Sequence, residues 1–281
     1  MNGLVGIGVY ALERLPDPVA ARCLARVVDR LGEAAKRKGG GVAWPTPPRI
    51  ARSFFGRSFP GGCYNLGVAH GIPAAIALLA ASSAAGVAAA KAERLLVPAV
   101  AWLRGQALDD RSRGMFPSLV TAGEKASPAR TAWCYGDPGI AGTLHCAGRA
   151  LRRASLRSEG VELARSAAGR SLGEAKVVDA GLCHGAAGLA HLLNRMFQSS
   201  GDPELRRAAR LWLGRTLELR RSKGGVAGYL AFEPDLGEGA SWRADPGFLE
   251  GAAGVALVLL AATTDVNPEW DRLLLLSSLR D

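Results

Sequence analysis

Gly181-Leu182-Cys183-His184-Gly185-Ala186-Ala187-Gly188 decides how this chain is read. Two adjacent side chains able to bind metal stand before a run of small residues that continues as an apolar helix. Outward from it, the same design recurs with one cysteine at Trp133-Cys134-Tyr135-Gly136-Asp137-Pro138-Gly139, and with a lone histidine at Ala69-His70-Gly71-Ile72-Pro73-Ala74. Similar glycine steps open the apolar stretches at Gly3-Leu4-Val5-Gly6 and Gly251-Ala252-Ala253-Gly254. Their spacing of roughly 50 to 70 residues exceeds a single solenoid repeat and suits a unit of two helices plus a loop.

The stretches between these steps are one-sided. Asp17 to Lys38 places Val19, Cys23, Val27 and Leu31 at helical spacing, with Arg and Glu opposite. Glu204 to Leu219 does the same behind Asp202-Pro203, a good helix opener. Ala92 to Leu108 and Val161 to Arg170 are weaker versions. Apolar helices alternating with one-sided helices imply an inner layer shielded by an outer one. Repeated in a ring, that is an all-α fold, an α/α toroid, with glycines letting inner backbones crowd together. Gly39 to Gly62 interrupts the pattern with Gly39-Gly40-Gly41 and Trp44-Pro45-Thr46-Pro47-Pro48, so no regular helix is expected there. Lys223 to Pro246 is a second irregular connection, with a short strand expected over Val226 to Phe232.

Composition agrees with helices. The 281 residues are 48% hydrophobic but only 6% aromatic, a mix better suited to close helix packing than to a β-sandwich. The net charge of +10 is mostly arginine. Arg149, Arg152, Arg153, Arg157, Arg206, Arg207 and Arg210 are read as outward helix decoration, with attraction of a flexible acidic peptide second. No basic strand interleaved with aromatics appears, so no nucleic-acid partner is expected. Ile72 to Ala90 carries no charge and is long enough to span a bilayer, but its Ala, Ser and Pro content reads as a buried helix and no membrane span. Five cysteines and no signal-peptide start point to a reducing, cytoplasmic setting.

The repeat register carries the chemistry. Cys134 and Cys183 each lie two residues before their glycine, while His184, His70 and Glu250 lie one before theirs. Equivalent positions of a toroid point to one mouth, so two thiols and an imidazole converge without a local CxxC. Zinc suits that donor set, and three protein ligands leave an open fourth position. Zinc with two thiolates is already neutral, so the site favours activating a substrate thiol over hydrolysis. Cys23, Cys63 and Cys146 fall outside the register and are read as packing residues. His145 and His191, inside apolar helices, are read as structural, and Glu250 as a helix cap or a substrate contact.

At these residues the sequence resembles the lanthionine synthetase C family, the LanC-type lantibiotic cyclases. The matching stretches are Tyr64-Asn65-Leu66-Gly67-Val68-Ala69-His70-Gly71-Ile72-Pro73, Trp133-Cys134-Tyr135-Gly136, Gly181-Leu182-Cys183-His184-Gly185 and Gly247-Phe248-Leu249-Glu250-Gly251. The resemblance implies one LanC-like domain over 1–281, with zinc held by Cys134, Cys183 and His184. It implies addition of a precursor-peptide Cys thiol to dehydroalanine or dehydrobutyrine, forming a thioether ring. His70 would be the acid/base and Arg130 would steady the enolate; a lone helix-end histidine and a surface cation are the plainer readings of the two. Trp133 and Tyr135 would line the pocket. The implied partners are a dehydrated precursor peptide and a lanthipeptide dehydratase.

The sequence also departs from the family pattern. About seven inner repeats are usual and five are counted here, with Met1-Asn2-Gly3 matching the middle of the third, so the toroid is expected to be incomplete. The acidic residue before that repeat's glycine has no counterpart, and Ala74 replaces the usual second glycine. These departures motivate an alternative: a catalytically impaired LanC-like scaffold that holds peptide or the dehydratase without turnover. A weaker alternative, a toroidal glycosidase, would need paired carboxylates, for which only Glu250 and Asp137 stand at helix starts.

Overall fold

The computed structural model describes residues 3–109, 114–233 and 239–276, so Met1 and Asn2 lie outside the described residues. The chain runs α1 (Gly3–Glu13), α2 (Pro18–Ala34), β1 (Lys36–Lys38), β2 (Gly41–Ala43), α3 (Pro48–Phe55), β3 (Tyr64–Asn65), α4 (Ile72–Ala84) and α5 (Ala89–Arg104). It continues through β4 (Leu119–Val120), α6 (Asp137–Ala150), α7 (Ala154–Ala168), α8 (Leu172–Ala175), α9 (Ala186–Ser200) and α10 (Pro203–Glu218). β5 (Ala231–Glu233), β6 (Ser241–Arg243), α11 (Ala252–Thr263) and a 3-10 turn (Glu269–Leu274) complete it.

Two layers result, as the alternation predicts. The apolar helices α1, α4, α6, α9 and α11 pack each on the next, and α2, α5, α7 and α10 each cover the inner helix they follow. In α4 every residue from Ile72 to Ala80 is buried, so no outward face needs polar side chains. Ile76, Leu78 and Leu79 are fully buried, each contributing about 1.5–3 kcal/mol. By contrast α2 buries Ala20, Leu24, Val27, Val28 and Leu31 on one stripe, and Asp17 caps it by accepting from the Val19 N–H at 2.7 Å. Small residues set the spacing: a Cβ on Gly160 of α7 would lie 2.7 Å from the Ala141 carbonyl oxygen of α6. Among the described residues the arc has five inner helices. Its end helices leave Ile7, Tyr10 and Leu260 exposed.

The loops depart from expectation in detail. Pro48 starts the short α3 inside Gly39 to Gly62, because proline at N1 needs no N–H partner, and left-handed Gly56 ends it. Gly39 and Gly40, both at positive φ, turn β1 back onto β2, so helix α2 stops at Ala34 rather than Lys38. The expected strand at Val226 to Phe232 is shifted to Ala231–Glu233, paired with Ser241–Arg243. The uncharged stretch from Ile72 is interrupted at Gly86, φ 71°, and no helix among the described residues is long and apolar enough to cross a membrane. Of the seven arginines read as outward, six are exposed, and Arg149 is half-buried beside α4.

After α11 no outer helix follows among the described residues. Instead the 3-10 turn folds inward. Asp271, fully buried, pairs with His191 Nε2 at 3.1 Å and Arg195 Nε at 2.8 Å on α9. Trp270 packs on His191, and Arg272 reaches Glu13 of α1 at 3.3 Å. His191 is therefore structural, as expected, and burial holds its pKa below 6.5, favouring the neutral ring.

Candidate metal centre

The loops before α9 and α11 are wound tightly by those helices' own first N–H groups. In α9, Ala186, Ala187 and Gly188 donate to the carbonyls of Asp179, Ala180 and Gly181 at 2.9, 3.3 and 3.3 Å. Ala252, Ala253 and Gly254 of α11 repeat this with Asp245, Pro246 and Gly247. The helix start, which would otherwise leave donors unpaired, thus closes the loop into a ring. An Asx turn shapes the front of the ring: the Asp179, Asp245 and Asn65 side chains accept from the N–H of Gly181, Gly247 and Gly67. Asx six residues before the glycine is therefore a sequence signal that repeat spacing alone overlooks.

The closed rings explain the second glycine of each step. A Cβ on Gly139, Gly188 or Gly254 would collide with the carbonyl of Trp133, Leu182 or Phe248. Position 74 carries alanine. There, among the described residues, the three ring bonds of α9 and α11 have no counterpart; what the loop shares with α9 is the bond from Gly71 N to the Gly67 carbonyl at 2.8 Å, matching Gly185 N to Gly181 at 3.0 Å.

These rings bring three side chains together. The sulfurs of Cys134 and Cys183 and one ring nitrogen of His184 lie within 4.8 Å of one another. The loops are also tied directly: Cys134 N donates to the Cys183 carbonyl at 3.3 Å, and Cys183 N to the Leu249 carbonyl at 2.7 Å. No cysteine is in a disulfide, and Cys134 is buried. The Cys183 thiol donates to the Cys134 sulfur, pulling the Cys134 pKa down to about 5, with His184 and Arg130 adding to the effect. The same bond and burial push Cys183 up, so the pair carries one thiolate. Burial is the largest single influence and opposes the His184 cation, but the bond to Cys134, the Cys134 charge and the Asp179 charge together outweigh it and raise its pKa. Two sulfurs, one already an anion, and an adjacent imidazole form a donor set that fits zinc.

Around the trio, Arg130 is exposed, and its charge acts on both thiols. Its register position is the one that Asn65, Asp179 and Asp245 fill in the other loops, so a cation replaces an Asx turn at this one ring. His70 stays at the surface with its ring 6.5 Å from that of Tyr135, and partial desolvation lowers its pKa below 6.5. Tyr135 accepts from Asn65 Nδ2 at 3.1 Å, and desolvation raises its pKa to about 12. Trp133 is buried and donates to the Leu274 carbonyl at 3.1 Å.

Other expected roles change. Glu250 does not cap α11, whose N-cap is Gly251; it accepts from Arg243 at 3.0 Å. Asp137 is buried and holds the N–H groups of Met115 and Phe116, so it is committed to structure and not free to pair with Glu250 for glycosidase chemistry. Cys63 and Cys146 pack in apolar clusters as expected, and His145 Nε2 lies 2.9 Å from Ser199 Oγ.

Two helical layers with a thiol–thiol–imidazole cluster in the inner-helix loops define a LanC-type α/α toroid. The chain belongs to the lanthionine synthetase C-like protein family, whose model matches residues 1–275. It is 25% identical over 227 residues to nisin biosynthesis protein NisC of Lactococcus lactis subsp. lactis, covering 78% of this chain and 50% of that protein. The chain thus spans half the length of that relative. Among solved structures, a nisin cyclase aligns with TM-score 0.78 at 22% identity, over 98% of this chain and 66% of its own. A D-mannose isomerase aligns with TM-score 0.59 at 14% identity, over 98% of this chain and 73% of its own, a likeness of fold alone.

Proposed function

We propose that the chain is a zinc-dependent lanthipeptide cyclase, which joins a cysteine of a dehydrated precursor peptide to a dehydroalanine or dehydrobutyrine of the same peptide. The convergence of Cys134, Cys183 and His184 within 4.8 Å carries this reading. A zinc ion held there would supply the positive charge that keeps a peptide thiol ionised and nucleophilic near neutral pH.

Everything else falls to side chains. The sulfur attacks the β-carbon, a C–S bond forms, and the alkene pair moves to an enolate whose charge sits on the neighbouring carbonyl oxygen. Arg130, whose charge already reaches the thiols, opposes that negative charge. The thiol loses one proton and the α-carbon gains one, so no oxidant or leaving group is needed. His70, with its pKa below 6.5, is neutral enough to accept the first proton and acidic enough to return it. Residues 1–281 act as one LanC-like domain in this reading. Its substrate must come from a reaction that removes water from serine or threonine, so we infer a lanthipeptide dehydratase partner in the cytoplasm.

Purified protein should carry about one zinc per chain, measured by elemental analysis, and Cys183→Ala should lose it. Loss of free thiol in a dehydrated, cysteine-containing peptide should be slow with His70→Ala, although zinc is retained. Well-folded protein without metal would end the proposal. Zinc and peptide affinity without thiol loss would replace it with a non-catalytic scaffold.

A further inference from the structure

The Cys134 ring lacks the Asx turn that shapes the others, yet it is held from outside by one guanidinium. Arg170, in the connection between α7 and α8, donates through Nη1 to Thr131 Oγ1 at 2.9 Å. Through Nη2 it donates to Asp137 Oδ2. Thr131 lies three residues before Cys134 and Asp137 three residues after, so one planar cation spans the two ends of the loop that presents the sulfur. Both charged side chains are buried, with 7% and 1% exposure, out of reach of the peptide. Asp137 also accepts from the Met115 and Phe116 N–H groups at 2.8 and 2.9 Å, and Thr131 N donates to the Ala175 carbonyl at 3.1 Å. A fork with fixed donors holds such a span where a flexible ammonium would not.

We propose that Arg170 and Asp137 are positioning residues that hold the Cys134 loop at the metal distance, doing for this ring what an Asx turn does for the others. The proposal rests on the zinc reading above. Partners that orient metal ligands typically change affinity by about 10–100-fold when removed, and Arg170→Met should weaken zinc by that factor.

The test uses the full chain. Zinc Kd is measured by competition with a chelator, and the visible spectrum of the cobalt-substituted protein reports ligand geometry. Arg170→Met should weaken zinc about 10–100-fold and alter the cobalt bands, and methylguanidinium added to Arg170→Ala should partly restore both. Should Arg170 variants fail to fold, Asp137→Asn, which keeps one acceptor oxygen for either the Met115 or the Phe116 N–H but loses the charge, should show the same direction. Asp202→Ala is the control: it removes the α10 cap and the pairing with Arg165, and should lower Tm without touching zinc affinity. Clasp variants that lower Tm as the control does, with Kd and cobalt bands unchanged, would overturn the proposal. Intact protein without zinc would instead overturn the metal reading. The clasp is then judged by alkylation of Cys134, expected to be faster in the clasp variants and, if unchanged, refuting it.

Discussion

Gly188→Ala is the sharpest probe of the ring that presents Cys183. An added Cβ would lie 2.6 Å from the Leu182 carbonyl carbon and closer still to its oxygen, where ordinary contact begins near 3.4 Å. Both obstacles are backbone, so no side chain can swing away, and the loop must lift by more than about an ångström. Overpacking of this kind costs about 1–3 kcal/mol. Losing the Gly188 to Gly181 bond adds about 1 kcal/mol. The gain in helix propensity returns about 0.5–1 kcal/mol, leaving a net loss of about 1–3 kcal/mol. For a chain of this size that lowers Tm by roughly 2–6 °C in a calorimetric scan. Because Leu182 adjoins Cys183, zinc content should fall too. Gly214→Ala is the matched comparison: this exposed α10 glycine has nothing within 4 Å of an added Cβ. It should gain about 0.5–1 kcal/mol. If the two substitutions moved Tm alike and both kept zinc, the ring geometry would not be what fixes the sulfur.

Three further outcomes can be measured. In zinc-free protein, thiolate absorbance near 240 nm should titrate with a midpoint near 5, and Cys183→Ala should move that midpoint up, because the thiol bond is the main cause of the shift. The stability contribution of Cys134, lowered in the fold, should be lost as pH falls towards 5 and grow as pH rises to its ordinary value of 9.0. Cys183, raised in the fold, should give its contribution back above that pH. Urea unfolding of the zinc-free chain across this range checks both signs. Asp271→Ala should cost about 3–5 kcal/mol, since it strands the buried Arg195. It should also loosen the turn that holds Trp133, seen as faster proteolysis after α11.

Much of the architecture is legible in the sequence because helix layering is a matter of periodicity. Apolar runs without a polar face, such as Ile72 to Ala80, lie inside, and stripes such as Leu24, Val27, Val28 and Leu31 face them. The Cys134, Cys183 and His184 trio is legible for a related reason: equivalent repeat positions point to equivalent places, so register substitutes for distance along the chain. The glycine steps are legible as a pattern, but not their cause.

Tertiary structure alone decided the rest. That a helix start bonds back to its own loop, so Gly188 has no room for a methyl group, follows from through-space approach of backbone atoms. That Arg170 spans Thr131 and Asp137, and that Asp271 is drawn inside to His191 and Arg195, depends on side chains 33 to 80 residues apart. Local sequence sets which face is apolar and which residues share a register, because those depend on the period of the chain. Which buried charges meet depends on how the layers close over one another, and no period encodes that.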